Sequence, residues 1–309
     1  MTAPAADQPP PHALLRPQIA IPFLIVALIW GSTWFVILGQ NEAAPASWSV
    51  TWRFVLATPA MFAVALVMRR PLRLGAAGQR LAFFVGLTQF CGNYNFVYRA
   101  EQHLTSGIVA VMIGLLLVPN AILARFLLNQ PITRRFAIGS AIAIAGIGLL
   151  LLHEAREAPL SGHVLLGVVL ALAAMLCASV SNVVQANKTG RALPMVSLLA
   201  WAMLYGMICN AVLGWVTAGP PVIPSSGAYW AGTAYLAIMG SVVTFPLYYN
   251  LIRQLGAGRA AYNGVAVIVI AMLISTFLEG YRWSFLAIAG ASLATAGLII
   301  ALRARRPAT

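Results

Sequence analysis

The sequence predicts an all-α integral membrane protein of ten transmembrane helices, arranged as two inverted five-helix repeats with the N and C termini cytoplasmic. Three observations predict it: ten apolar runs of membrane-crossing length, an alternation of Arg and Lys between the gaps that separate them, and a similarity between the two halves of the chain. Composition excludes water as the main solvent, since 61% of the 309 residues are hydrophobic and 8% charged, against ~25% charged in a soluble domain.

A helix crosses a hydrocarbon core of ~30 Å with ~20 residues, and it does so with every backbone group bonded internally. Residues 1–18, rich in Pro and Ala, are expected to be a disordered cytoplasmic tail. The first run, 19–39, is followed by Ala43-Ala44-Pro45-Ala46, which resembles a signal cleavage site. Signal cores are ~7–15 residues long and start basic, so this longer run is expected to remain as a helix. Runs 47–68, 80–98, 104–128 and 136–152 complete a first repeat over 19–152. A connecting loop at 153–162 leads to a second repeat over 163–302, with runs 163–186, 195–217, 229–251, 260–278 and 283–302. The fifth run is short and the seventh is interrupted by Asn210 and Gly214. Residues 303–309 form a basic cytoplasmic tail.

Basic residues are poorly translocated, so their placement orients the chain. Of the 19, fifteen fall on one set: the N-terminal tail, the 2–3, 4–5, 6–7 and 8–9 gaps and the C-terminus. Three, Arg99, Arg156 and Arg282, fall on the other set, and Arg53 lies within a span. Five of the six acids, Glu42, Glu101, Glu154, Glu157 and Glu279, lie on the poorly basic side. A slip of one span would destroy this alternation. The net charge of +13 is thus dispersed among short gaps, whereas a nucleic-acid groove needs it gathered on one wet face; no nucleic-acid partner is expected.

The halves match in detail. Thr105-Ser106-Gly107, a helix, a turn at Gln130-Pro131, then Gly139 and Gly146 find their counterpart in Gly256-Ala257-Gly258, a helix ending at Glu279, then Gly290 and Gly297. Segments 24–35 and 171–182 also align without a gap. An odd number of spans per repeat turns the halves opposite ways, which puts a binding site near the midplane where they meet.

Four motifs carry a resemblance to a known family across essentially the whole chain. They are Trp30-Gly31-Ser32 in the first span, Arg53-Phe54 in the second, the stretch from Asn95 to Ala100 with Ser106-Gly107 and Pro119 after it, and the closing Gly139 and Gly290 segments. In this order they resemble the EamA-type branch of the drug/metabolite transporter superfamily, and most closely its bacterial amino-acid exporters, the aromatic amino-acid group included. The ninth span departs from the family pattern, with Val267-Ile268-Val269 where a proline is expected. The resemblance implies a multi-pass protein of the bacterial inner membrane, monomeric or weakly dimeric, that exports a small organic solute by alternating access. Amino acids are the leading substrate class; nucleosides or sugar derivatives are the alternative.

Several residues are candidates for lining a central cavity. Arg53 is the ionisable group clearly inside a span, where insertion costs ~2.5–3.5 kcal/mol at the bilayer centre. It is either an interface residue bonded to carbonyls, Glu42 or Glu101, or a gate latch or partner of a substrate carboxylate. The third span concentrates Gln89, Asn93, Tyr94, Asn95 and Tyr98, with Gln89 and Asn93 on one face and Asn95 and Tyr98 on an adjacent one; these either glue helices together or line a wet cavity. Trp30 and Trp34 share a face of the first helix with Ser32 nearby, for packing or for stacking on substrate. Ser179 and Asn182 in the sixth span, Tyr248 in the eighth, and Tyr262 and Asn263 opening the ninth complete the substrate-binding candidates. Pro119, like Pro246, is expected to kink its helix, and is a gating candidate with Arg53. Gly139 with Ala143 and Gly290 with Ala294 are read as close-packing sites.

Other chemistries are poorly served. The three cysteines form no metal-spaced pattern and the four histidines are scattered, so no metal, cofactor or catalytic residue is expected, and a lipid-processing enzyme is the weaker rival. No Asp or Glu lies well inside a span, which points to facilitated export or exchange; proton coupling through Glu101 or Glu279 is the rival.

Overall fold

The structure, a computed structural model, describes residues 16–127, 131–157, 163–186, 188–255 and 262–303. Most of the expected tail, part of the 153–162 loop and all but Arg303 of the C-terminal segment lie outside the described residues. Every regular element among the described residues is helical.

In chain order these are α1 (Pro17–Ala43), α2 (Ala46–Val67), α3 (Gly75–Val85), a π-helical turn at Gly86–Asn93, α4 (Tyr94–Ala100), α5 (Ser106–Gly114) and α6 (Leu117–Leu127). Then follow α7 (Arg134–Glu157), α8 (His163–Gln185), the short α9 (Lys188–Ala192) and α10 (Met195–Ala218). The chain ends with α11 (Gly227–Ala237), a second π-helical turn at Ile238–Val243, α12 (Thr244–Leu255), α13 (Tyr262–Leu278) and α14 (Phe285–Arg303).

Among the described residues eight helices are long and apolar enough to cross a membrane. Two further rods fall short for different reasons. The rod 75–100 is long but carries Gln79, Arg80, Gln89, Asn93 and Asn95, whereas α13 is apolar but only 17 residues long. The fifth run, expected to be short, extends from Arg134 to Glu157, because charged side chains are tolerated where a helix leaves the hydrocarbon.

The fourth run breaks in the middle. Leu115 and Leu116 bond three residues back instead of four, one turn before Pro119, which has no N–H to give to Leu115 O and whose ring crowds that carbonyl. The expected kink is therefore present, and it separates α5 from α6. The outside of the bundle is apolar: Val67 and Phe285 are 83% and 86% exposed, surface that only hydrocarbon solvates without cost.

Packing partners fix the relative directions of the rods. Residues climb together along α3 and α10, with Gly78 beside Leu193, Gly86 beside Gly206, and Asn210 bonded to Phe90, so these run parallel. The same holds for α1 and α13, where Phe23 meets Asn263 and Gly31 meets Ile270. The pairing α2 with α10 is antiparallel: Trp48 packs on Gly214 near one end and Phe62 on Trp201 near the other. So are α5 with α13, α1 with α11–α12, and α7 with α14.

The last of these is the tightest. A Cβ on Gly146 would stand 2.3 Å from Ala294 N and one on Gly297 2.3 Å from Ala143 N, while Gly139 faces Ala301 and Gly290 faces Gly146. Backbone touches backbone here because the small residues supply nothing between the helices. The expected close-packing role of Gly139, Ala143, Gly290 and Ala294 is met directly, each half using the same positions against the other.

Candidate functional site

The two π-helical turns create the polar centre. A π turn inserts a residue into the ladder and frees carbonyls that an α-helix would bond, a feature that recurs at functional sites. In the first half Asn210 on α10 donates to Phe90 O at 2.9 Å, and Asn95 donates to Cys91 O at 3.0 Å and to Asn210 Oδ1 at 2.6 Å. In the second half Trp30 on α1 donates to Gly240 O at 3.3 Å and Ser241 donates to Leu236 O at 3.1 Å. Each freed segment is thus met by a side chain from the opposite half of the chain.

Arg53 lies against the second turn. It projects from α2, is 2% exposed, and donates from Nε and Nη2 to Ser241 Oγ at 3.3 and 3.2 Å and from Nη2 to Tyr94 OH at 3.3 Å. The Tyr94 ring stacks on the guanidinium, 4.3 Å from Cζ to the centroid, an attraction of ~0.5–2 kcal/mol. Its Nη1 meets no acceptor, and no carboxylate pairs with it among the described residues. Gly240 packs close beside it: a Cβ there would stand 3.3 Å from Nη2 and 3.1 Å from Thr33 Cγ2, so these side chains would have to give way slightly. Of the interface alternatives for Arg53, the carboxylates of Glu42 and Glu101 are not used; Glu42 is exposed on α1.

Aromatic rings wall this cation from one half to the other. Phe54 and Tyr94 sit edge to face at 5.3 Å, Phe90 and Phe245 at 5.9 Å, and Phe245 and Trp30 at 5.8 Å. Towards Glu101, Tyr98 donates to Gln40 Oε1 at 2.8 Å and Gln40 Nε2 donates to Thr233 Oγ1 at 2.7 Å.

The expected site residues divide accordingly. Trp30, Ser32 and Tyr248 gather along α11–α12, with Ser32 bonded to Tyr235 OH at 2.7 Å and Tyr248 5.0 Å from the Trp30 ring. Tyr98 spends its hydroxyl on Gln40 of α1, as glue, whereas Asn95 gives its Nδ2 to Cys91 O and Asn210 Oδ1 and keeps a buried Oδ1 without a partner. Among the described residues no side-chain hydrogen bond ties Gln89 or Asn93 to the polar centre, and buried Asn93 Oδ1 is without a partner. Trp34 packs against both main apolar clusters with its buried Nε1 unpaired. Ser179 is fully buried with an unpaired hydroxyl, Asn182 is half-buried, and no bond ties either to Arg53. Asn263 ties α13 to α1 through Phe23 O at 2.7 Å. The Tyr262 side chain lies outside the described residues. Pro119 kinks its rod without contacting Arg53. Gln40, Asn210, Thr233, Tyr235 and Ser241 are not foreseen at the site from the sequence, and Tyr94 is foreseen only as a member of the third span's polar cluster; polarity inside apolar runs is the signal at Gln40 and Asn210.

Among the described residues no three His, Cys, Asp or Glu side chains group so as to hold a metal ion. The EamA-like transporter family matches the chain twice, over residues 18–152 and 165–303. Protein PagO of Salmonella typhimurium is 26% identical over 269 residues, 86% of this chain and 87% of that protein. The inner membrane transporter YedA of Escherichia coli is 30% identical over 263 residues, covering 82% of this chain and 80% of its own. A crystal structure sharing 16% identity superposes with a TM-score of 0.66 over 91% of this chain and 95% of that one, a likeness of fold alone. Two copies of the family's repeat, an apolar helical bundle and a polar centre built across both halves have one consistent reading: the chain belongs to the EamA-like transporters of the drug/metabolite transporter superfamily and is a multi-pass membrane transporter.

Proposed function

We propose that the protein exports a small organic solute bearing a carboxylate, with amino acids as the leading class, from a site between two inverted five-helix repeats. The observation that carries this reading is Arg53: a buried guanidinium, held by two hydroxyls and an aromatic face, with one nitrogen unpaired and no acid beside it. Buried charges persist when a partner compensates them, and the missing partner of a cation in a transporter's centre is an anionic cargo group. The surrounding Phe90, Tyr94, Phe245 and Trp30 rings suit the apolar remainder of such a solute.

The ten-span, both-ends-cytoplasmic topology in the bacterial inner membrane is part of the proposal. It requires packed spans to be parallel when an even number of positions apart and antiparallel when odd. The directions of the rods given above all obey that rule. The reciprocal Gly139–Gly297 and Gly146–Gly290 contacts support the inversion, since they relate equivalent positions of the two halves by a two-fold exchange. Alternating access then follows from exchanging the conformations of the two repeats. The kink before Pro119 provides a hinge, Arg53 a gate that closes around cargo, and the unpaired Asn93 and Trp34 groups lining for the cavity.

A panel of labelled amino acids, nucleosides and sugar derivatives in proteoliposomes tests this, with Arg53→Lys and Arg53→Gln alongside. Transport of carboxylate-bearing solutes, weakened in the Lys variant and abolished in the Gln variant, is expected. Transport confined to uncharged nucleosides or sugars would reject the carboxylate reading.

A further inference from the structure

Two acids meet where α4 leads into α5 and α13 ends, and they are treated in opposite ways. Glu279 follows α13, where the chain turns away through Gly280 at φ 70. Its carboxylate accepts from the Ser106 hydroxyl, from Ser106 N at 3.3 Å and from Ser275 Oγ at 3.1 Å. The first of these donors opens α5, so the helix dipole also favours negative charge there. Glu101, in the turn after α4, is 3% exposed, and among the described residues neither carboxylate oxygen has a hydrogen-bond donor.

The charged and titratable groups around Glu101 offer it no compensation. From α13 comes Glu279, a like charge. On its own segment Tyr98 gives its hydroxyl to Gln40 and Arg99 turns Nη2 to Ser47 Oγ at 3.2 Å. Arg53 of α2 turns Nε and Nη2 to Ser241 and Tyr94 and makes no bond to Glu101, and Glu42 of α1 is exposed. His103 stacks on His163 of α8 at 5.4 Å, and His153 of α7 lies between Arg282 O and Ser284 Oγ, each at 3.0 Å. An ionised Glu101 here would face burial, no donor and a neighbouring anion together; a neutral one escapes the repulsion and most of the desolvation cost, keeping only the smaller cost of an unpaired polar group. In agreement, burial first and Glu279 second push its carboxyl well above the usual carboxylate range.

We infer that Glu101 is a proton-binding latch: closing this end of the bundle takes up one proton at Glu101, and loss of that proton favours opening. The proposed topology faces the latch outward, so an acidic exterior holds the outer end shut. The proton gates the path without crossing the membrane, which needs no carboxylate within the spans. Only this sidedness rests on the proposed function, since the latch itself is a property of the empty protein.

The test uses the full chain in lipid vesicles without solute. The infrared carbonyl stretch of a protonated carboxylic acid is followed from about pH 5 to 9 in the wild type, Glu101→Gln and Glu279→Gln. In parallel, thiol labelling is followed at Ala100→Cys, a fully buried position, with Cys91, Cys177 and Cys209 replaced by Ala. Expected are a protonated band at neutral pH that is absent from Glu101→Gln, and a lower titration midpoint in Glu279→Gln. Labelling should rise about tenfold per pH unit on the approach to the midpoint from below, the slope of a one-proton linkage, and level off above it; it should become pH-independent when Glu101→Gln is added. A wild type without the band at neutral pH, a band that survives Glu101→Gln, or labelling indifferent to pH would overturn the latch. These readouts involve no transport, so their failure is distinct from failure to find a carboxylate solute.

Discussion

Adding one methyl group at either of two glycines of α7, two residues apart, should have opposite effects. At Gly146 a Cβ would lie 2.3 Å from Ala294 N, 2.6 Å from Gly290 O and 2.9 Å from Ala294 Cα, all backbone atoms that cannot swing aside. Ordinary carbon contacts start near ~3.5 Å, so Gly146→Ala must part α7 and α14 by roughly 1 Å and open the reciprocal Gly139, Gly290 and Gly297 contacts with it. Overpacking of this kind costs ~1–3 kcal/mol. At Gly148 a Cβ meets nothing within 4 Å, and Gly148→Ala should be neutral or stabilise by up to ~1 kcal/mol through helix propensity. The two variants should therefore differ by about 1–4 kcal/mol. Thermal unfolding of the purified protein in one detergent, followed by loss of the monodisperse chromatographic peak, ranks them: Gly148→Ala at or above wild type, Gly146→Ala below it. A Gly146→Ala protein as stable as Gly148→Ala would show that α7 and α14 do not meet through these glycines.

Other outcomes follow from single contacts. Asn210→Leu leaves Phe90 O and Asn95 without their partner and should lower stability by about 1–3 kcal/mol, measured by the same unfolding assay; an unchanged midpoint would mean the π turn at Gly86–Asn93 needs no cap. Trp34→Phe removes a buried unpaired N–H, so stability should hold while solute affinity falls, read as a raised KM in proteoliposomes; unaltered transport would remove Trp34 from the cavity. The His103 imidazole is held below its ordinary value by burial first and by His163 second. A depressed histidine contributes stability that is complete above about pH 6.5 and lost as pH falls through the lowered value. Melting midpoints should thus decline from neutral pH towards pH 5, with a shallower decline in His163→Gln; parallel curves would refute the stacked pair as the cause.

What was legible in the sequence was set by repetition and by burial statistics. Apolar runs and the Gly139, Gly146, Gly290 and Gly297 spacing foretold the helices and their closest contact, because a missing side chain at a seven-residue interval has one use in a packed membrane bundle. Arg53 was legible because a cation inside a hydrocarbon span is costly wherever it points. Its environment was not. Ser241 and Tyr94 are ordinary residues of apolar helices until π turns rotate their helices and bring them to the guanidinium. The turns themselves carry no composition that separates them from α-helix. Asn95 and Tyr98 illustrate the same limit from the other side: the i, i+3 spacing placed them correctly on one rod, but only tertiary structure shows that Asn210 and Gln40 absorb them. Glu101 and Glu279 stood at span ends, where sequence gives no sign that one is capped and the other buried bare.

The proposed role of Arg53 is to meet the anionic group of the cargo. Equilibrium binding of an amino acid and of its decarboxylated amine, in the wild type and in Arg53→Gln, tests it most directly. Losing one partner of a fully desolvated charge pair costs ~2–5 kcal/mol, so the wild type should favour the amino acid by about 30- to 4,000-fold, with the preference collapsing in Arg53→Gln and partly returning in Arg53→Lys. An amino acid and amine bound equally well by the wild type, or a preference that survives Arg53→Gln, would contradict it.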